Sequence, residues 1–564
     1  MSGSLLPTPR VAYFSMEIAL DERFPTYSGG LGVLAGDMLR SCADLGMPIA
    51  GVTLAYRAGY FHQTLDDHGN QSEAPEPWSP EREFPATHAS VIVRIGERDV
   101  RVVAWRYDVT GVRGHVVPVY LLDTDVEENH PDDRGLTAHL YGGDQRYRLA
   151  QEAILGIGGA RMLTALGHTG IETYHLNEGH SALLVLALLD RATATSDPLE
   201  SVRARCVFTT HTPVAAGHDR FSEDLVVSVL GEHETERLRY FGLLQDGELN
   251  MTRLALRASR YANAVSLRHG EVSRAMFPDF PISAITNGVH APTWVVPAMA
   301  ELFDRYMPQW RTDSAQLRHA MGIPADDLVT ARQIAKRDLC AQIRQRTGAD
   351  FAPDVFTIGF ARRAATYKRA SLLFADMEAL RATVAATGKL QIVYGGKAHP
   401  HDEYGKTEIR RVYEAKAALG GDVDIVYIAN YEMALAKRIV AGVDLWLNTP
   451  VPPLEASGTS GMKAALNGVP SLSTLDGWWV EGCIEDRTGW SFGADDTGAL
   501  YAAIARAANR YATSQETYAQ IARYAIAVNG SFFNSQRMAR QYAREAYAPG
   551  GMHAEGRALR DIAV

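Results

Sequence analysis

Apolar positions along this chain fall into short runs that alternate with amphipathic stretches. Val11-Ala12-Tyr13-Phe14-Ser15 reads as a strand. Phe24 to Ser28 leads into Gly29-Gly30-Leu31-Gly32, after which Leu34, Met38, Cys42 and Leu45 recur on one helical face up to Gly46. Residues 90–125 carry runs such as Val117-Pro118-Val119-Tyr120-Leu121-Leu122, which predict antiparallel strands joined by Gly/Asp turns. Helical periodicity returns over 143–166. Strands and helices then alternate: Ile171 to Asn177, a helix from Ser181, and Arg205 to His211. An amphipathic helix and a short strand follow over 251–268, and Ile282 to Val289 predicts a strand running into a turn.

Residues 296–350 are helix-rich and punctuated by Pro297, Pro308 and Pro324. Apolar strands at Asp354–Phe360, Leu390–Ala398, Val423–Tyr431 and Val443–Asn448 each end in polar residues, and Lys463 to Gly468 reads as a short helix. The alternation predicts an α/β fold with doubly wound parallel sheets, whose ligand crevice lies at the carboxyl ends of the strands. The boundary is placed near residue 290, giving domains 1–290 and 291–548, with residues 549–564 read as a frayed tail.

Composition narrows the class. At 564 residues the chain is too long for one ordinary domain. Its 46% hydrophobic and 22% charged content is that of a soluble globular protein. A net charge of -10 argues against a nucleic-acid-binding surface. Cys42, Cys206, Cys340 and Cys483 lack CxxC spacing and fit a reducing cytoplasm. No leader pattern and no membrane-length apolar run is read in the sequence. His211 and His218 are separated by Pro-Val-Ala-Ala-Gly and lack a third ligand at suitable spacing, so no metal is expected.

Three stretches carry candidate chemistry. Strand, Gly-rich turn and helix at 11–45 can cradle a phosphate, although a tight packing turn has the same signature. Arg362-Arg363-Ala364-Ala365-Thr366-Tyr367-Lys368-Arg369 gathers cations at a strand end, where an oxyanion would relieve their repulsion; a solvated basic loop is the alternative. In Glu455-Ala456-Ser457-Gly458-Thr459-Ser460-Gly461-Met462-Lys463 a carboxylate enters a small-residue turn and an amine follows two helical turns later. Spacing alone leaves a plain Gly/Ser turn equally open.

The segment EASGTSGMKAALNG closely resembles the cofactor-lysine segment of the glycogen/starch (α-glucan) phosphorylases. YFSME…GGLGVLAGDML, LN-x-x-H at 176–180, T-x-HT at 209–212, ITNG at 285–288, GGKA at 395–398 and Asn430-Tyr431 resemble the same family, over roughly residues 11–547. The resemblance implies the glycosyltransferase-B arrangement, two Rossmann-like domains facing across a cleft. It also implies that Lys463 forms a Schiff base with pyridoxal 5′-phosphate. Arg362 would hold the cofactor phosphate and Arg363 and Lys368 the substrate phosphate, helped by backbone N–H groups of Gly30 and the Gly458-Thr459 turn. His211, Glu455 and Asn287 would meet the glucosyl unit, with His180, Gly29, Leu31, Ser457 and Gly458 beside it. Lys397 and Tyr431 stand in second rank at the cofactor. The closing helix from Ser531 to Glu545 would pack back on the first domain.

The implied partners are an α-1,4-glucan and inorganic phosphate or glucose 1-phosphate, with a homo-oligomer allowed and neither nucleic acid nor membrane expected. The chain departs from the large animal enzymes at Ala365 and Thr366, where they carry His and Glu, and it is much shorter than they are. Phosphorylation and nucleotide control are therefore not carried over. The implied reaction is retaining, reversible phosphorolysis. A sugar-nucleotide-dependent glucosyltransferase such as a glycogen synthase, which needs no Lys Schiff base, is the alternative, and a silent glucan-binding protein is the third reading.

Overall fold

The computed structural model describes residues 8–192, 196–214 and 217–548. The 549–564 tail, and residues 215–216 between His211 and His218, lie outside the described residues.

The first half builds a nine-stranded sheet from β1 (Val11–Ser15), β2 (Ile49–Leu54), β3 (Ala86–Ile95), β4 (Arg98–Thr110), β5 (Val116–Asp123), β6 (Thr173–Asn177), β7 (Cys206–Thr209), β8 (Tyr261–Ala264) and β9 (Ser283–Ala284). Its order is β9-β8-β7-β6-β1-β2-β5-β4-β3. The run from β9 to β5 is parallel, and β4 and β3 extend it antiparallel. The burial pattern explains the difference. Every residue of β1 and β2 is buried, as parallel strands covered on both faces require. Most of β3 stays wet, which an antiparallel edge tolerates. Phe14 faces one apolar cluster and its neighbour Tyr13 the other, following the period of two.

The second half builds a six-stranded sheet from β10 (Phe356–Ala361), β11 (Leu390–Gly395), β12 (Asp424–Ile428), β13 (Leu445–Asn448), β14 (Ser471–Thr474) and β15 (Gly489–Phe492). All its pairings are parallel, in the order β12-β11-β10-β13-β14-β15. This is the doubly wound order 3-2-1-4-5-6. The chain reverses its direction of growth between β10 and β13, and likewise between β1 and β6 in the first sheet. A crevice opens outside the carboxyl ends of strands at such a switch point.

Helix α1 (Gly30–Asp44) covers the first sheet, α2 (Thr459–Leu466) follows β13, and α3 (Ser535–Tyr542) closes the fold. Helical segments at Pro297–Tyr306 and Ala325–Thr347 bridge the halves; the latter ends at Gly348, whose φ of 72° suits a left-handed stop. One apolar cluster joins Val33 of α1 to Trp294, Met462 and Trp478, so the halves meet through a dry seam. Trp478 and Trp479 are buried there as packing residues. From α3, Met538, Ala539 and Tyr542 share a cluster with Met38 and Cys42 of α1, and Ser535 Oγ lies 2.6 Å from Ser41 Oγ.

Two local expectations change. The predicted strand over Ile282–Val289 shrinks to Ser283–Ala284, because Val289 leaves the sheet to pair with Asn534. The helix read from Lys463 begins at Thr459, and Gly461 inside it is a packing requirement: a Cβ there would lie 2.7 Å from the Trp478 ring.

Candidate active site

Arg362 leaves the end of β10 and Glu455 follows β13, the two strands that flank the switch point. Arg362 Nη2 donates to Glu455 Oε2 at 2.6 Å. Lys368 Nζ donates to Oε1 and Oε2 at 2.9 and 2.6 Å. All three side chains are at most 10% exposed. Burial alone would raise the Glu455 pKa, but Arg362 and Lys368 outweigh it and hold the carboxylate at about 2. Arg362 Nε and Nη1 have no hydrogen-bond partner among the described residues. Capacity for a further anion therefore remains in a buried cluster.

The other two arginines of the basic stretch divide. Arg363 is exposed and makes no hydrogen bond or ion pair among the described residues. Arg369 turns away and donates to the carbonyls of Thr449, Pro450 and Ala494 at 2.8, 3.0 and 2.6 Å. It fixes loops, and the oxyanion reading of the stretch does not extend to it.

Lys463 lies on α2 with Nζ 3.9 Å from the Trp294 ring centroid. Trp294 Nε1 donates to the buried Asp37 Oδ2 at 2.8 Å. Desolvation lowers the Lys463 pKa to about 8 against a partly opposing Asp37, so more of the amine is neutral and nucleophilic near neutrality than for an ordinary lysine. Ahead of α2, Gly458 adopts φ 88°, and the hydroxyl of Ser457 and Oδ1 of Asn448 are buried without partners among the described residues. Thr459 supplies the first N–H of the helix, which has no partner within the helix. Tyr431 feels Arg362, although burial is the larger influence and raises its pKa. Lys397 Nζ donates to Phe61 O at 2.8 Å, crossing from one half to the other.

In the first half, Gly29 and Gly30 differ from their neighbours. A Cβ on either would meet nothing within 4 Å, whereas one on Gly32 would lie 2.7 Å from Glu17 Oε2 and one on Gly36 would lie 2.2 Å from Ala19 O. Packing therefore explains Gly32 and Gly36 but leaves open space before the N-terminus of α1, next to Leu31. Glu17 Oε2 accepts from Ser28 N at 2.5 Å and Gly29 N at 3.2 Å, and Tyr141 donates to Oε1 at 3.1 Å. Tyr27 just upstream accepts from Met433 N at 3.0 Å, which brings the Gly-rich turn to the loop carrying Tyr431.

His211 Nε2 lies 2.7 Å from Asn177 Oδ1, and the His211 backbone N–H donates to Glu178 Oε2 at 2.6 Å. Desolvation lowers its pKa to about 3, so the ring is neutral. The same cause lowers His180 to about 3; its Nε2 lies 3.5 Å from Asp219 Oδ2 and its Nδ1 has no partner among the described residues. Burial pushes Glu178 up to about 7. Asn287 is 3% exposed, and its Oδ1 has no partner among the described residues.

Hydrogen bonds thus join Arg362, Lys368 and Glu455 directly, while Arg363 stands apart. Sequence reasoning passed over Glu17, Asp37, Glu178 and Trp294. Glu17 and Glu178 were accessible as carboxylates just beyond strand ends at a switch point. Asp37 and Trp294 carried no local signal.

The sequence pattern of the carbohydrate phosphorylase family matches residues 19–126 and 214–541. A maltodextrin phosphorylase of Thermococcus litoralis is 39% identical over 522 residues, covering 86% of this chain and 62% of that protein. A glycogen phosphorylase of Mycobacterium tuberculosis is 36% identical, covering 97% of this chain and 72% of its own length. An uncharacterized protein of Methanocaldococcus jannaschii is 31% identical and is covered over 99% of its length. With a doubly wound sheet in each half and the family pattern running through both, this chain belongs to the carbohydrate phosphorylase family.

Proposed function

We propose that this chain carries out reversible, retaining phosphorolysis of an α-1,4-glucan by inorganic phosphate, releasing α-D-glucose 1-phosphate with the help of pyridoxal 5′-phosphate. The observation that carries this reading is the buried Arg362–Glu455–Lys368 cluster at the switch point of the second sheet, with unused guanidinium N–H groups. The phosphorylase names of the relatives from Thermococcus litoralis and Mycobacterium tuberculosis support it. The division near residue 290 is proposed as the domain boundary.

The residues present fit the cofactor. A buried amine at Lys463 with its pKa lowered to about 8 suits covalent attachment of an aldehyde. The open space at Gly29 and Gly30 and the unpartnered groups of Arg362, Asn448 and Ser457 suit its ring and phosphate. When bound, pyridoxal phosphate supplies a second phosphate able to exchange a proton with the attacking one, and its ring serves as an anchor.

In the reaction the C1–O bond of the terminal glucosyl unit breaks, a phosphate oxygen bonds to C1, and a proton passes from phosphate to the departing glucan oxygen. Arg362 and Lys368, with the exposed Arg363, would offset the repulsion between two phosphates in a dry site. The free N–H groups at the start of α1 and α2 add partial positive charge without adding a titrating group. Glu455, kept ionised at working pH, accepts from glucosyl hydroxyls and holds its two cations apart from solvent. Asn287 and neutral His211 hold further hydroxyls, and neither competes for the phosphate proton.

The test is incubation of the chain, reconstituted with pyridoxal phosphate, with maltoheptaose and inorganic phosphate. Glucose 1-phosphate should form only when phosphate is present, and Lys463→Ala should abolish both cofactor absorbance and turnover. Release of free glucose, or turnover that requires a nucleotide sugar, would refute the proposal.

A further inference from the structure

We infer that Arg537, on the closing helix α3, is a positioning residue for the sugar-contacting side chain of Asn287, an inference that rests on the phosphorolytic reading for what Asn287 touches. Arg537 Nη2 donates to the backbone carbonyls of Thr286 and Asn287, at 2.7 and 3.0 Å. These two carbonyls belong to the peptide planes on either side of the Asn287 Cα. Holding both planes sets φ and ψ at Asn287 and so sets the direction of its Cβ. The remaining guanidinium groups are also engaged: Nε donates to Phe532 O at 3.0 Å and Nη1 to Gln541 Oε1 at 3.0 Å.

The place of Arg537 in its own helix argues against a local role. It sits in the first turn of α3, where its N–H donates to the Asn534 cap at 2.9 Å. A cation at a helix N-terminus opposes the helix dipole, so its charge is not there to stabilise α3. It is half-buried, and desolvation lowers its pKa to about 10, with Glu481, Tyr542 and Glu545 acting the other way. At neutral pH it is charged, and two of the carbonyls that receive that charge belong to the Asn287 loop.

The rest of the closing segment grips the same loop. Val289 N donates to Phe533 O at 3.1 Å and Ser535 N to Val289 O at 2.9 Å. A Cβ on Gly288 would lie 2.2 Å from Asn534 O, so the two backbones touch. Thr286 Oγ1 donates to Glu481 Oε2 at 2.7 Å, and Asn287 N to Val265 O at 3.0 Å. The loop is thus fixed on every side except that of the Asn287 side chain, whose buried Oδ1 has no partner among the described residues. The segment also reaches α1: Gln536 Nε2 donates to Asp44 Oδ2 at 3.2 Å, and His290 Nε2 lies 2.8 Å from the same oxygen. One closing helix therefore ties the Asn287 loop to the helix whose first turn faces the phosphates.

A double-mutant cycle tests this, with Arg537→Met, Asn287→Ala and the double variant of the full holoenzyme, and Arg537→Lys as the conservative replacement. Arg537→Met should raise the KM for maltoheptaose about 10-fold while the KM for phosphate stays within about 2-fold, a split that general loosening would not give. In the Asn287→Ala background the same substitution should change kcat/KM by less than about 2-fold, the signature of two residues acting as one unit. Arg537→Lys should recover part of the loss and replaces the Met variant if that one does not fold. Additive effects, equal rises in both KM values, or an Asn287→Ala enzyme with unchanged glucan KM would overturn the inference. Calorimetric binding of maltoheptaose to the same four proteins reads the coupling without turnover. A chain that bound glucan with this coupling but released no glucose 1-phosphate would refute the functional reading and leave the positioning role standing.

Discussion

Lys368 Nζ donates to both carboxylate oxygens of Glu455, at 2.9 and 2.6 Å, across the gap between the ends of β10 and β13. Arg362 shares one of those oxygens. One carboxylate thus neutralises part of a cationic cluster that would otherwise be buried without compensation.

Glu455→Gln should for that reason destabilise the protein. Removing one member of a buried ion pair strands the others, at a cost of about 3 kcal/mol. Urea denaturation of the phosphate-free protein measures the loss, and added inorganic phosphate should restore part of it in the variant. The native pKa of about 2 lies below the unfolded value near ~4.3. The contribution is therefore fully present above that unfolded value and disappears as pH falls toward 2. A variant as stable as the parent at neutral pH would mean that the cluster carries no net stability.

Lys463 gives a slope of the same sign, but its lowered pKa is a penalty at neutral pH where that of Glu455 is a gain. Its native pKa of about 8 lies below the unfolded value near ~10.4, so the unfolded chain binds more protons between them. Stability of the cofactor-free protein should rise with pH across that window, and Lys463→Met should remove the rise. The rate of pyridoxal phosphate attachment, trapped with borohydride, should reach half its maximum near pH 8. A midpoint above pH 10 would show that burial does not neutralise the amine.

Gly30→Ala separates packing from binding. A methyl group there meets open space, so thermal stability should change by no more than about 1 kcal/mol, in the stabilising direction if at all. The same methyl would stand in the space proposed for the cofactor, so the Kd for pyridoxal phosphate should rise at least 10-fold, about 1.4 kcal/mol. Unchanged cofactor affinity would place the cofactor elsewhere. Gly36→Ala is the contrast: its Cβ would lie 2.2 Å from Ala19 O, and the loss there should be in folding.

Arg363 and Arg369 should behave as mirror images. Arg363→Ala removes an exposed cation that makes no ion pair among the described residues, so stability should hold within about 0.5 kcal/mol while phosphate KM rises. Arg369→Ala strands the carbonyls of Thr449, Pro450 and Ala494, so the melting temperature should fall and the phosphate KM of the folded fraction should not change. The reverse pattern would exchange their roles.

The sequence by itself determined the local framework. Buried strands with polar ends, the glycine turn before α1 and the small-residue turn before α2 all follow from periodicity and from which residues the backbone tolerates, and these signals act over a few residues. Tertiary structure decided who meets whom. Glu455 takes Arg362 and Lys368 as partners over 93 and 87 residues. Trp294 and Asp37 come to Lys463 from two other segments of the chain, and Arg363 and Arg369 of one basic stretch divide between a wet position and a carbonyl nest. Side-chain spacing cannot encode these choices, because each depends on how two sheets and a closing helix bury their apolar faces together, and on which polar groups that burial leaves without water.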